Sequence, residues 1–225
     1  MATGIESSSI TSEWLKQHAQ LYSEATFHPF IQSIKNGSID FNCFKRWLSQ
    51  DYIFVREFVR FLASVLLKTP KNSTADIDII LGGLAALEQE ISWFKKEASN
   101  WEVDLINCNP QKSNQDYCRF LESLMQPDVE YAVIIVAFWT IEVVYCDSFA
   151  TCLESDAKTS PLLLEACQRW GNQGFKQYCM SLQKIADKAL NSAPQDVQHK
   201  AEETFTHVLR NEIEFWNMSY GYDMK

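Results

Sequence analysis

Glycine and proline are scarce in this sequence, at 7 and 6 of 225 residues, which leaves too few turn-formers for a barrel or sandwich of many short strands. Also missing is any CxxC pair: the seven cysteines, at positions 43, 108, 118, 146, 152, 167 and 179, are odd in number and fall mostly within helical patterns. They read as reduced thiols used as small apolar residues, which points to a cytoplasmic setting. Positive charge is in deficit, with a formal net charge of -9, so nothing drives the chain electrostatically toward nucleic acid or an anionic membrane. The opening stretch from Met1 to Ser9 has neither a basic nor an apolar targeting region and is expected to form a disordered tail over 1–10, followed by one domain over 11–225. No long uninterrupted apolar run occurs either. The longest, from Tyr131 to Cys146, is broken by Thr140 and Glu142 and is short for a membrane span, so it reads as a buried core helix.

What is present is helical periodicity almost throughout, on a composition that is 46% hydrophobic and 13% aromatic. The spacing predicts an all-α, single-domain bundle with helices at about 11–35 (bent where His28 precedes Pro29), 40–67, 74–97, 112–125, 128–153, 159–170, 172–191 and 194–220. Asn36-Gly37 closes the first segment, Asp40 caps the second, Ser73 or Thr74 the third, and Pro127, Pro161 and Pro194 mark later starts.

Three acids sit where core residues belong. In segment 40–67, Phe44, Trp47, Leu48, Tyr52, Val55, Phe58, Val59 and Leu62 form an apolar stripe at three- and four-residue steps, and Asp51 lies inside it. Glu212 shares a face with Ala201, Phe205, Val208, Phe215, Trp216 and Ser219, and Glu142 shares one with Phe138, Trp139 and Tyr145. A carboxylate withdrawn from water costs several kcal/mol unless it is paired, so each acid needs a buried partner or a raised pKa. One such acid could simply tie helices together. Three, on separate helices among aromatics, suit a pocket for a flat ligand rich in nitrogen donors. Glu88, in line with Ile77, Leu81, Leu84 and Ile91, is read as a fourth acid on an apolar stripe, with a structural role.

The runs Phe27-His28-Pro29-Phe30-Ile31, Phe44-Lys45-Arg46-Trp47-Leu48-Ser49-Gln50-Asp51-Tyr52 and Glu212-Ile213-Glu214-Phe215-Trp216 resemble, in order and spacing, those of the TenA/thiaminase II family, over nearly the whole chain from Trp14 to Tyr220. The resemblance implies a haem-oxygenase-like bundle, needing no cofactor and binding no metal. It implies a homodimer or homotetramer that acts on a small pyrimidine, hydrolysing 4-amino-5-aminomethyl-2-methylpyrimidine to the hydroxymethyl compound. By the same resemblance Asp51 binds the pyrimidine's amino group and ring nitrogen, Glu212 handles protons, and Tyr117 in Gln115-Asp116-Tyr117-Cys118 lines the pocket; Phe54, Phe138 and Tyr145 complete the substrate-binding set.

The sequence departs from the cysteine-bearing branch of that family. Its fifth helix reads Ala137-Phe138-Trp139-Thr140-Ile141-Glu142-Val143-Val144-Tyr145, with Glu142 in the region of the nucleophilic thiol. Phe54 stands where that branch carries tyrosine, and a tyrosine expected near Trp170 has no counterpart. Without a thiolate, covalent cleavage of thiamin loses its nucleophile, whereas Glu142 and Glu212 as an acid–base pair suit direct hydrolysis of the aminomethylpyrimidine or its N-formyl derivative. Other readings remain: a non-catalytic pyrimidine-binding protein, a haem oxygenase using His18, a di-metal site around Glu203 and His207, or a scaffold.

Overall fold

A computed structural model describes residues 9–222, and all of its regular structure is helical. The expected tail at 1–10 lies outside the described residues except for Ser9, which caps the first helix, and Ile10, which begins it. The ten helices are α1 (Ile10–Gln17), α2 (Ala19–Thr26), α3 (Pro29–Lys35), α4 (Phe41–Lys68), α5 (Thr74–Asn100), α6 (Lys112–Leu124), α7 (Tyr131–Thr151), α8 (Leu164–Gly171), α9 (Gln173–Asn191) and α10 (Gln195–Tyr220).

The expected helix at 11–35 is three helices. The break at His28 has a local cause: Pro29 occupies the first helical position of α3, and the His28 ring nitrogen Nδ1 accepts the Phe30 N–H at 3.1 Å. The break at His18 has no proline or glycine behind it; there the backbone turns at φ -105 and ψ 27. Asp40 caps α4 as expected, through Asn42 N–H at 2.9 Å, and Asn172 caps α9 through Phe175 N–H at 2.9 Å. The helix predicted at 159–170 begins five residues later. Ser160-Pro161 forms a turn instead, with Leu163 N–H bonded to Ser160 C=O at 2.9 Å. Likewise α7 begins at Tyr131 rather than 128.

The axis of the bundle is α7, which packs against α2, α4, α8, α9 and α10. Among the described residues it is the one helix long and apolar enough to cross a membrane, but 83% of its most apolar stretch is buried inside the protein, as a core helix must be. Helix α8 approaches α7 so closely that a Cβ on Gly171 would lie 2.7 Å from the backbone of Phe149 and Ala150. That contact seats Trp170 against Trp47, Tyr145 and Phe149, with ring centroids 5.7, 5.8 and 5.2 Å away. Helix α6 is anchored to α4 by Gln50: its side chain donates to Asn109 C=O and accepts Gln111 N–H, while Asn114 Nδ2 donates to Gln50 C=O at 2.7 Å. The residue after Gln50 is Asp51, so this clamp fixes α6 beside the buried acid.

Candidate active site

Asp51 and Glu212 are each 1% exposed, at the centres of α4 and α10. Each is held by one tyrosine. The Tyr145 hydroxyl, from α7, donates to Asp51 Oδ1 at 3.1 Å, and the Tyr117 hydroxyl, from α6, donates to Glu212 Oε1 at 2.6 Å. Asp51 Oδ2 and Glu212 Oε2 are buried with no hydrogen-bond partner in the protein. Buried polar atoms are nearly always satisfied, so two orphaned carboxylate oxygens in one region call for a ligand that brings donors.

Phe54 packs on Tyr117 at 4.8 Å and stacks on Phe58 at 5.7 Å, which leads outward to a cavity of about 470 Å³. Phe58, Leu87, Glu90, Glu142, Phe175 and Tyr178 line this cavity, and its rim includes Gly82, Gly83 and Gly174. Asp51, Tyr145, Tyr117 and Glu212 do not line the open volume. They are set back behind it, and the Glu212 charge acts on Glu142 in its wall. Of the residues expected to bind substrate, Phe138 is also set back from the cavity, fully buried against Phe58 at 5.8 Å and Tyr178 at 6.4 Å.

Glu88, expected on an apolar stripe, is exposed on α5, as is Leu81, so the stripe through Ile77, Leu84 and Ile91 is not the buried one. The buried line runs Ile80, Leu87 and Phe94, and the acid on its inner side is Glu90, three residues after Leu87 and four before Phe94. Tyr178 is the other residue not foreseen. Its hydroxyl is buried without a partner and seated against Gly83, where a Cβ would come within 2.1 Å of it.

The electrostatics of this cluster are those of carboxyls crowded away from water. Burial pushes Asp51 well above the usual carboxylate range, the charge of Glu90 adds to the rise, and the Tyr145 hydrogen bond only partly opposes it. Glu142 is likewise raised well above normal by burial and then by Glu90. Burial lifts Glu212 to about 8 against the opposing Tyr117 hydrogen bond. Glu90 is pushed up by burial to about 7, and the Arg169 charge and a hydrogen bond from Trp170 hold it from going further. Burial and the neighbouring carboxylates raise Tyr117, Tyr145 and Tyr178, so all three hydroxyls stay protonated and available as donors. Neutral and ionised carboxyls thus coexist near neutral pH, the condition for acid and base roles in one pocket.

The residues of the rival readings lie elsewhere. His18 Nε2 pairs with Glu202 Oε1 at 2.9 Å, and His207 stacks on Phe120 with centroids 4.0 Å apart. Among the described residues no group of three or more His, Cys, Asp or Glu side chains is placed to hold a metal ion.

Residues 15–222 match the model of the TENA/THI-4/PQQC family. A probable bifunctional TENA-E protein from Glycine max is 54% identical over 214 residues, covering 94% of this chain and 93% of the relative. An aminopyrimidine aminohydrolase from Helicobacter pylori is 23% identical, covering 93% and 98% of the two chains. Among solved structures, a TenA homologue from Pyrococcus furiosus superposes with a TM-score of 0.86 at 22% identity, covering 93% of this chain and 99% of the other. The all-helical domain therefore has the haem-oxygenase-like fold of the TenA structures, and the chain belongs to the TENA/THI-4/PQQC family.

Proposed function

We propose that this protein is an aminopyrimidine hydrolase of the thiamin-salvage type, working without a cysteine nucleophile and using Glu142 and Glu212 as its acid–base pair. One observation carries the reading: Asp51 and Glu212, each held by a tyrosine on one oxygen and unpartnered on the other, lie behind a cavity whose walls add Glu142 and Glu90. A neutral Asp51 can donate its O–H to a ring nitrogen and accept from the adjacent exocyclic amine, the paired pattern of an aminopyrimidine edge. The surrounding Phe54, Phe58 and Tyr117 rings supply flat apolar walls.

In the hydrolytic step, water attacks the methylene carbon while the C–N bond breaks. Glu212, whose ionised form the Tyr117 hydrogen bond favours, takes the water's proton. Neutral Glu142 supplies the proton the leaving nitrogen needs, giving the hydroxymethylpyrimidine and ammonia. On an N-formyl derivative the same pair directs water to the formyl carbon and releases formate and the free amine. Two activities in one pocket accord with a relative named as bifunctional, and aminopyrimidine chemistry accords with the name of the Helicobacter pylori relative.

The test is to incubate the protein separately with the aminomethylpyrimidine, its N-formyl derivative and thiamin, following product release, with Glu142→Gln and Glu212→Gln alongside. Turnover of either of the first two compounds, lost in both variants, supports the hydrolase. No turnover of any of them, with tight hydroxymethylpyrimidine binding that depends on Asp51, would leave a binding protein instead.

A further inference from the structure

The hydrolytic scheme uses Asp51, Glu142 and Glu212 and leaves Glu90 without a task, although it lines the cavity with Glu142. Glu90 differs from the other three acids in having a cation beside it. Arg169, on α8, lies with its guanidinium 4.9 Å from the Trp93 ring centroid, and its charge acts on Glu90, as does the hydrogen bond from Trp170. The titratable groups acting on Glu90 or acted on by it come from every side: Asp51 from α4, Glu142 from α7, Arg169 from α8 and Tyr178 from α9, with Glu212 of α10 coupled to it through Asp51 and Glu142. Arg169 is the single cation in that set, and its charge favours the ionised form of Glu90.

We infer that Glu90 is a specificity-determining residue, which selects the charge of the substrate's side arm and favours a cationic aminomethyl group over a neutral formamide. The inference rests on the hydrolase reading. An alkylammonium brings a positive charge to the cavity wall that Glu90 shares with Glu142. A formamide brings no charge and gains nothing from an ionised Glu90, whereas a protonated Glu90 can donate to its carbonyl oxygen. The protonation of one wall residue therefore sets the ratio of the two activities, and the ratio follows pH through the range in which Glu90 titrates, about 7.

The experiment measures kcat/KM for the aminomethylpyrimidine and its N-formyl derivative, with the full chain and with Glu90→Gln and Glu90→Asp, from about pH 5.5 to about pH 8, below the usual range of alkylammonium groups. The native amine-to-formamide ratio is expected to climb with pH. Glu90→Gln should lower the amine's kcat/KM about tenfold more than the formamide's and flatten the climb, and Glu90→Asp should restore part of it. Equal losses on both substrates, or a ratio in Glu90→Gln that still climbs with pH, would overturn the inference. Calorimetric binding of hydroxymethylpyrimidine separates a damaged pocket from an altered one: loss of that binding in Glu90→Gln makes Glu90 structural and also overturns it. If the native protein turns over neither compound yet binds both, the hydrolase reading fails, while charge selection is still decided by whether Glu90→Gln changes the ratio of the two Kd values.

Discussion

Tyr117 and Glu212, on α6 and α10, share a 2.6 Å hydrogen bond in which the phenol donates to Oε1 while Oε2 has no partner in the protein. The bond favours the ionised carboxyl and is what opposes the effect of burial on Glu212, whose pKa nevertheless stands at about 8. Tyr117→Phe removes the donor and keeps the ring that packs on Phe54. The Glu212 pKa should then rise further, moving the limb of the pH–rate profile that reports the base to higher pH. At neutral pH kcat/KM should fall by roughly tenfold or more, in line with a hydrogen bond to a charged group. Tyr145→Phe, which disturbs Asp51 instead, should raise KM with little movement of that limb. Profiles of the two variants decide the matter, and equal shifts in both would count against the division of roles.

Glu212 also predicts how stability depends on pH. Its pKa is about 8 in the folded chain and near the ordinary 4.5 when unfolded. Between those values the folded state binds more protons than the unfolded one, so stability is greatest at the acidic end of the window and falls as pH rises toward 8. Asp51 and Glu142, raised in the same direction, contribute losses of the same sign. Glu212→Gln keeps an acceptor for Tyr117 and removes the titration. It should therefore be more stable than the native chain by up to a few kcal/mol at about pH 8, with the gain shrinking toward pH 4.5. Denaturant melts at the two pH values measure this, and a pH-independent difference would contradict it.

How much of this site could be read from the sequence depended on each helix's own pattern. Helices α4 and α10 carry one clean apolar stripe each, so Asp51 and Glu212 stood out against their neighbours; Glu142 stood out as the single acid in a long apolar run. Helix α5 is apolar around much of its circumference, with Ile77, Ile79, Ile80, Leu81, Leu84 and Leu87 pointing several ways, and the line drawn through Glu88 was as regular as the true one through Leu87 and Glu90. Its tertiary partners, α4 and α9, decide which side is buried, and a single helix's periodicity does not contain them. Tyr178 was hidden for a related reason. Its position is defined by Gly83 on another helix, a pairing with no local signature. The kink at His18 left no proline or glycine to mark it, whereas His28-Pro29 was legible because proline forces the break.

Gly171 should be among the least replaceable residues outside the site. A methyl group there would meet the backbone of Phe149 and Ala150, in the last turn of α7, at 2.7 Å, and helix backbone cannot swing aside as a side chain can. Gly171→Ala should destabilise the fold by roughly 1–3 kcal/mol, the usual cost of overpacking, despite the better helix propensity of alanine. Because Trp170 stands between α8 and Tyr145, the variant should also weaken hydroxymethylpyrimidine binding under conditions where it remains folded. A variant as stable as the native chain would mean that α8 shifts along α7 at no cost.

Gly83 presents the opposite situation, in which the obstacle is a side chain that can move. A Cβ at Gly83 would lie 2.1 Å from the Tyr178 hydroxyl and 3.1 Å from its Cζ, while Gly82 beside it faces open space. Gly83→Ala must displace the Tyr178 ring, which lines the cavity with Glu90 and Glu142 on its other walls. The expected result is a raised KM with a small change in stability, since the helix gains up to about 1 kcal/mol of propensity while losing a tight contact. Tyr178→Leu removes the obstacle, so adding Gly83→Ala to it should cost little further. A double-mutant cycle on KM then gives a coupling of about 1 kcal/mol or more between the two positions. Gly82→Ala provides the comparison: it meets no atom within 4 Å and should leave the coupling at zero. Additive effects of Gly83→Ala and Tyr178→Leu would mean that the tyrosine is not held in place by the glycine, and that its unpartnered hydroxyl is positioned by α9 alone.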